Sequence, residues 1–528
     1  MKKLNLNLLM LAILCAALPA FSQSAVSQTA VWQTAVSQTA VSQTMSAAAA
    51  PRPKLTYPEV KKVDQVDDYH GTKVADPYRW LENADSDETK AWVEAENKIT
   101  FDYLGKIAER RAIRERLTKL WNYERYTNPQ IQGGRYFFSR NNGLQNQNVL
   151  YTAKTLNDEP KVVLDPNSMS ADGTVALSGY DITEDGKLIV YGTAMSGSDW
   201  TEWRVREVDT GKDLPDHVKW VKFSGASFSP DGKGFYYSRY DEPKAGEMLR
   251  GKVQFHKLYY HKLGTHQSED VLVYDRPDHG DWNIRGFVSD DGKYLIVNLN
   301  TGSARKNRVY YKDLSAKDAP MVKLLDENDA SYSFIDNIGP VFYFDTDLDA
   351  PNERVIAINV NHPERAAWKT VIAEAKEPLS SVNLLNNNMF VASYLKDARS
   401  VVRVYDMEGK FVRDVKLPGL GTTSGFGGKR NATETFYSFN SFTAPSTVYR
   451  YDLKTGKSSI FRQPKVGFNP ADYVTTQVFF ESKDHTRVPM FISHKKGLKL
   501  DGKNPTFLYA YGGFNISQTP SFSVANLV

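Results

Sequence analysis

Glu184-Asp185-Gly186-Lys187-Leu188-Ile189-Val190-Tyr191, Pro230-Asp231-Gly232-Lys233-Gly234-Phe235-Tyr236-Tyr237 and Asp290-Asp291-Gly292-Lys293-Tyr294-Leu295-Ile296-Val297 carry one signal three times. An Asp-Gly pair precedes a run of aliphatic and aromatic residues. Glycine supplies the positive φ that a tight turn needs, and β-branched and aromatic side chains suit a pleated surface, so each copy predicts a turn leading into a strand. Related units stand at Gly133-Gly134-Arg135-Tyr136-Phe137-Phe138, Asn337-Ile338-Gly339-Pro340-Val341-Phe342-Tyr343-Phe344, Asn386-Asn387-Asn388-Met389-Phe390-Val391-Ala392 and Asn431-Ala432-Thr433-Glu434-Thr435-Phe436-Tyr437. Their spacing of about 40–60 residues is the period of four-stranded propeller blades. Further hairpins, such as Lys257-Leu258-Tyr259-Tyr260-His261 with Asp270-Val271-Leu272-Val273, and Val402-Arg403-Val404-Tyr405 with Phe411-Val412, supply the remaining strands. The predicted fold is therefore mainly β, a seven-bladed β-propeller over 124–465. A long array of antiparallel sandwiches is the alternative, but closure into a ring explains better how one chain tolerates so many strand edges.

Ahead of this region, 85–121 holds the extended helical signal. Asp85 with Glu88 fits a capping box, and Ala91, Trp92, Ala95, Ile99, Tyr103 and Leu104 recur along one face. A second helix is predicted from about Glu109 to Trp121, with Ile113, Leu117 and Leu120 inward, so that 55–123 forms a helical pair packing on a larger body.

The first residues, Met1-Lys2-Lys3 and then an apolar run over 8–20 broken by Pro19, have the layout of a secretory signal peptide, assigned to 1–22. The run is too short to span a bilayer, which leaves no membrane span in the mature chain and points to export, with the periplasm as destination. Cys15, the single cysteine, falls inside it, so the mature chain holds no disulfide. The stretch 23–54 repeats Ala-Val-x-Gln-Thr, as at Ala30-Val31-Trp32-Gln33-Thr34, and offers too little apolar surface to offset the entropy of ordering; a disordered leader is expected. The balance of 66 Lys+Arg against 62 Asp+Glu in 528 residues is too even for a nucleic-acid footprint. The histidines have no ligand spacing that suggests zinc, and no phosphate-cradling or dinucleotide loop occurs, so neither a metal nor a cofactor is expected.

From about Val466 the pattern changes again. Residues 474–480 and 488–494 read as strands, and Pro505-Thr506-Phe507-Leu508-Tyr509-Ala510-Tyr511 reads as a buried strand entering the turn Gly512-Gly513-Phe514-Asn515. An apolar strand meeting a Gly-Gly turn is where α/β-hydrolases place a backbone donor of the oxyanion hole, so 466–528 reads as the start of such a domain, incomplete at Val528.

Several motifs together carry a family resemblance. They are Asp68-Tyr69-His70-Gly71, Asp76-Pro77-Tyr78-Arg79-Trp80-Leu81-Glu82, Gly143-Leu144-Gln145-Asn146-Gln147 and Asp172-Gly173-Thr174-Val175-Ala176-Leu177. Ser196-Gly197-Ser198-Asp199-Trp200, Lys257-Leu258-Tyr259-Tyr260-His261 with Gln267-Ser268-Glu269-Asp270, and Tyr511-Gly512-Gly513-Phe514-Asn515-Ile516-Ser517 complete the set. With these the chain resembles the prolyl oligopeptidase family of serine peptidases from Leu55 onward. The resemblance implies a seven-bladed propeller covering an α/β-hydrolase active site, with the helical segment belonging to the hydrolase side. It also implies cleavage of short proline-containing peptides after proline, through an acyl-enzyme, by a protein that is a monomer when complete. On the same ground Tyr511 is the oxyanion donor, and Phe514 and Asn515 meet the substrate.

A phenolic donor aimed at developing charge in a dry cavity stabilises the transition state more than the ground state, and a flat aromatic face suits a compact apolar ring. Oligopeptidases of basic-residue specificity look similar through the propeller but carry Gly-Ser-Tyr-Gly at the turn, so Gly512-Gly513-Phe514-Asn515 favours proline. One departure stands out. The chemistry needs Ser, Asp and His in that order, with Ser on a Gly-x-Ser-x-Gly elbow, and no such elbow occurs. Ser424, in Gly421-Thr422-Thr423-Ser424-Gly425, has the wrong spacing, and the histidines precede any possible nucleophile and read as surface or satisfied core residues. The expected chain thus lacks the catalytic triad. A propeller that binds peptides or proteins without cleaving them, and a basic-residue oligopeptidase, remain as alternatives.

Overall fold

The computed structural model describes residues 55–244, 247–248, 251–514 and 516–527. The expected signal peptide, with Cys15, and the leader lie outside the described residues, as does Asn515.

Within the compact unit Asn122–Ser523, seven antiparallel sheets follow one another along the chain, each built from consecutive strands. The first blade has five strands, from Arg125–Tyr126 to Lys161–Leu164, and the other six have four each. Blade 2 runs from Val175–Ile182 to Asp213–Val221, and blade 7 from Thr422–Gly427 to Ser458–Arg462. Each of the seven turn-to-strand units read from the sequence marks the turn leading into one blade's central strands.

The geometry of the three strongest units shows why they recur. Gly186, Gly232 and Gly292 have φ of 71°, 66° and 71°. Two residues ahead of each Asp stands a hydroxyl, and Thr183, Ser229 and Ser289 donate to Asp185, Asp231 and Asp291 at 2.8, 2.7 and 2.8 Å. The same carboxylates accept the backbone N–H of Lys187, Lys233 and Lys293 at 3.0, 3.1 and 3.0 Å. The repeated unit is therefore Ser/Thr-x-Asp-Gly-Lys, a side-chain-closed turn in which each polar group is satisfied locally.

Core side chains fill the spaces between neighbouring blades. Between blades 4 and 5, Tyr294, Ile296 and Tyr311 meet Phe342, Phe344 and Ile356, all buried. First strands of adjacent blades pack on one another and so line the ring's axis. No strand is shared between the first and last sheets. Side chains close that seam instead: Tyr136 donates to Glu434 Oε1 at 2.9 Å, Asn128 Nδ2 donates to the Ser424 carbonyl at 3.0 Å, and Tyr136 meets Phe436 edge-on.

Antiparallel order places the turns between first and second strands on one face of the ring, and the crossovers between blades on the other. A hairpin of Tyr473–Glu481 and Arg487–Lys495 sits at the crossover face. It is held there by Gln477, which donates to the Asp397 carbonyl at 2.5 Å, and by Phe491, whose ring lies 5.3 Å from that of Phe442.

A second unit contains the helices α1 (Asp87–Gly105) and α2 (Arg110–Trp121), a hairpin of Val66–Tyr69 with Thr72–Ala75, and the terminal turn Val524–Leu527. The cap of α1 is Ser86, not the Asp85 read from the sequence. Ser86 has extended backbone, and its hydroxyl accepts from Thr89 N at 3.2 Å, while Asp85 lies one residue outside and offers its carbonyl to Lys90. The expected inward faces are only partly covered. Leu120 is buried and Trp92, Ala95, Ile99, Leu104 and Leu117 are half-buried, but Ala91, Tyr103 and Ile113 are exposed. Two helices, one short hairpin and one turn bury too little to cover a whole helix face.

The expected buried strand at 505–511 is also corrected. The segment has no strand assignment, and Phe507 and Leu508 are 83% and 80% exposed. No strand pairs with it among the described residues, and an unpaired extended segment has neither ladder nor cover.

Candidate functional site

Of the residues assigned to the site, Tyr511 is 48% and Phe514 64% exposed, and Asn515 lies outside the described residues. Phe514 adopts φ 51°, a left-handed conformation unusual for a bulky residue, immediately after Gly512 at φ 73° and Gly513. The turn is thus sharp, as the Gly-Gly pair implies, and it presents both aromatic side chains outward. Ser424 lies in the first strand of blade 7, where its hydroxyl pairs with that of Ser438 at 2.8 Å. It is a seam residue.

The histidines divide between surface and core, but the expected satisfaction of the core ones holds for His261 and not for His256, whose buried Nε2 has no hydrogen-bond partner among the described residues. His70 and His266 are exposed, whereas His256 and His261 are fully buried. Burial pushes the His256 imidazole down to about 3, so it is neutral, and its Nδ1 accepts from Ile284 N at 3.1 Å. Among the described residues no group of three or more His, Cys, Asp or Glu is arranged to hold a metal ion, and no helix is long and apolar enough to cross a membrane.

Two features of the ring went unread in the sequence. On the turn face, the blade 7 turn Gly427-Gly428-Lys429-Arg430-Asn431 reaches over the axis. Lys429 Nζ lies 3.0 Å from Glu184 of blade 2 and 3.0 Å from Asp290 of blade 4. Arg430 bonds the Asn337 carbonyl of blade 5, its backbone N–H donates to Asp290 Oδ2 at 3.0 Å, and its carbonyl accepts from Asn387 of blade 6. Burial works against the Lys429 charge, but Asp290 and Glu184 raise its pKa. Beside it, burial pushes the Asp336 carboxyl up to about 6, against the Asn337 N–H and Arg430. One turn therefore bolts five blades together across the mouth. The signal in the sequence was a basic pair in one blade's turn facing acids at the equivalent turns of two others.

The crossover face between blades 2, 3 and 4 carries the second feature, an aromatic and cationic patch. Trp220, Phe223 and Phe255 have φ of 63°, 57° and 61°. Bulky residues persist in that region only where their surroundings over-determine them, and such outliers concentrate at working surfaces. Trp200 meets Trp220 and Tyr240 edge-on and carries Lys222 Nζ 5.2 Å over its ring. Arg285 Nε donates to the Phe223 carbonyl at 2.6 Å.

With this geometry in hand, comparison with known proteins is specific. Residues 58–464 match the family described as "Prolyl oligopeptidase, N-terminal beta-propeller domain". A prolyl endopeptidase of Elizabethkingia meningoseptica is 44% identical over 474 residues, covering 90% of this chain and 66% of its own length. The prolyl endopeptidase of Dictyostelium discoideum is 33% identical, with 90% and 71% covered. Among solved structures, one from a study of two prolyl endopeptidases and of inter-domain dynamics in their catalysis and specificity superposes with a TM-score of 0.80 at 35% identity, covering 89% of this chain and 68% of that one. Prolyl oligopeptidase B from Galerina marginata, bound to a 35mer hydrolysis and macrocyclization substrate, gives 0.80 at 31%, with 89% and 70% covered. The chain spans 66% of the length of the Elizabethkingia relative.

Proposed function

The chain belongs to the prolyl oligopeptidase family, and from that premise we propose that it forms the propeller-bearing part of a serine peptidase that cleaves short peptides on the carboxyl side of proline. The observation that carries this reading is the ring whose turn-face mouth is bridged by Lys429 and Arg430. A ring bolted at one mouth admits substrate only from the crossover side or through a transient opening, and it rejects folded proteins by size. Proteolysis confined to narrow, unfolded chains follows.

In this proposal the Tyr511 hydroxyl donates to the oxyanion of the tetrahedral intermediate, and Phe514, with Asn515, receives the proline ring. Because no Gly-x-Ser-x-Gly elbow occurs in the 528 residues, the acylated serine and its Asp and His are proposed to come from outside them. Export through the N-terminal signal would place the enzyme in the periplasm, working as a monomer. A flat phenylalanine at 514, in place of the tyrosine of the basic-residue oligopeptidases, favours proline over arginine.

The test is a chimera joining this chain to the remaining hydrolase residues of the Elizabethkingia relative, assayed on paired peptides that differ only in Pro or Arg before the scissile bond. Cleavage after Pro at a kcat/KM at least tenfold above that after Arg is expected. Preference for Arg would move the assignment to the basic-residue oligopeptidases, and cleavage of neither peptide by a folded chimera would remove the catalytic reading.

A further inference from the structure

The motifs Lys257-Leu258-Tyr259-Tyr260-His261 and Gln267-Ser268-Glu269-Asp270 meet at one buried point between blades 2 and 3. His261, on the third strand of blade 3 (Lys257–Lys262), is 0% exposed. Its Nδ1 lies 2.6 Å from Asp270 Oδ1 of the same blade, and its Nε2 lies 3.0 Å from Asp216 Oδ1 on the outer strand of blade 2 (Asp213–Val221). The aspartate side chains are 1% and 0% exposed. A neutral imidazole has one N–H and cannot donate to both carboxylates; only the imidazolium satisfies both ring nitrogens here.

The surrounding bonds tie the cation into the seam. Asp216 Oδ1 also accepts Gly264 N at 2.6 Å, and Asp270 Oδ2 accepts the Tyr237 hydroxyl at 2.5 Å. Gln267 donates to that hydroxyl at 3.2 Å, and its amide exchanges two 3.1 Å bonds with the backbone N–H and C=O of Lys219, on the edge of blade 2. Lys219 directly precedes Trp220, where the strained crossover begins, and Phe223 follows three residues later.

We propose that His261 is a charged staple between blades 2 and 3, and that through Asp216 and Gln267 it positions the 219–225 crossover whose aromatic residues form the patch on the crossover face. His261 is a positioning residue, remote from the patch itself. The titratable and charged groups facing it are Asp216 from blade 2 and, from blade 3, Asp270 and Tyr237, with Arg239 acting on Tyr237 from behind. Burial alone would lower the histidine's pKa, but the bonds to Asp216 and Asp270 outweigh it and push it up to about 9. The folded value lies above the ordinary one near 6.5, so the staple's contribution is fully present below about pH 6.5 and is lost as pH rises through about 9.

Three measurements on the full chain test this. With histidine labelled at Cε1, one resonance is expected to titrate near pH 9, and Trp fluorescence is expected to change with the same midpoint in the wild type but not in Trp220→Phe. A buried histidine that titrates at or below pH 7 overturns the charged staple. Fluorescence that stays constant while the histidine titrates overturns the positioning role. In His261→Gln, where it folds, the melting midpoint is expected to lie below wild type at pH 6 and to approach it above pH 9. A deficit of the same size at both pH values would reduce the residue to ordinary packing.

Discussion

Tyr511→Phe, made in the chimera that carries the remaining hydrolase residues, is expected to lower kcat by about 10²–10³-fold with little change in KM. The effect depends on where the charge appears. Ground-state substrate presents a neutral carbonyl, which the phenol would bind weakly, whereas the tetrahedral intermediate presents an oxyanion that a preorganised donor stabilises far more. Removing one hydroxyl leaves the ring, and hence packing at the turn, in place. Tyr511 is 48% exposed in this chain. Steady-state kinetics on a short proline peptide decide it. An unchanged kcat would mean that the phenol does not face the reacting carbonyl, and a rise in KM alone would make it a binding group.

Phe342→Ala is expected to destabilise the propeller by about 3–5 kcal/mol, the usual cost of emptying a buried phenylalanine site. Phe342 is 0% exposed in the second strand of blade 5. Its ring centre lies 4.8 Å from that of Tyr294, 5.3 Å from Tyr311 and 5.4 Å from Phe334, so its contacts tie blade 5 to blade 4. Rigid aromatic neighbours on both blades cannot collapse into the space without shifting the strands that carry them, and the cavity therefore persists. Urea denaturation followed by circular dichroism gives the change. A loss under 1 kcal/mol would show that the inter-blade cores repack freely and that the ring is held mainly elsewhere.

The ring itself was legible because its signal is local and repeated. Asp-Gly turns report the positive φ at Gly186, Gly232 and Gly292 without reference to any distant residue. The hydroxyl closing each turn, at Thr183, Ser229 and Ser289, is equally local. What could not be read is non-local. Lys429 meets Glu184 and Asp290 only because closure of the ring brings the blade 7 turn close to those of blades 2 and 4, and their separation in sequence carries no trace of that. His261 was correctly placed among satisfied residues, yet its two carboxylates come from different blades and only the fold brings them together. The cap of α1 slipped from Asp85 to Ser86 because both can cap and only backbone geometry chooses between them. At 505–511 an apolar β-rich run was read as a buried strand, but burial depends on neighbours that the run does not itself supply.

A ring that restricts substrate by size must treat a short peptide and a folded protein carrying the same site differently. The chimera is given a short proline-containing peptide, and then the same sequence inserted in an exposed loop of a stable folded protein. Rapid cleavage of the peptide and no detectable cleavage of the folded protein are expected, with cutting restored once that protein is digested to short fragments. Cleavage of the peptide and the intact folded protein at similar rates would contradict it, because a bolted ring could not admit a folded chain.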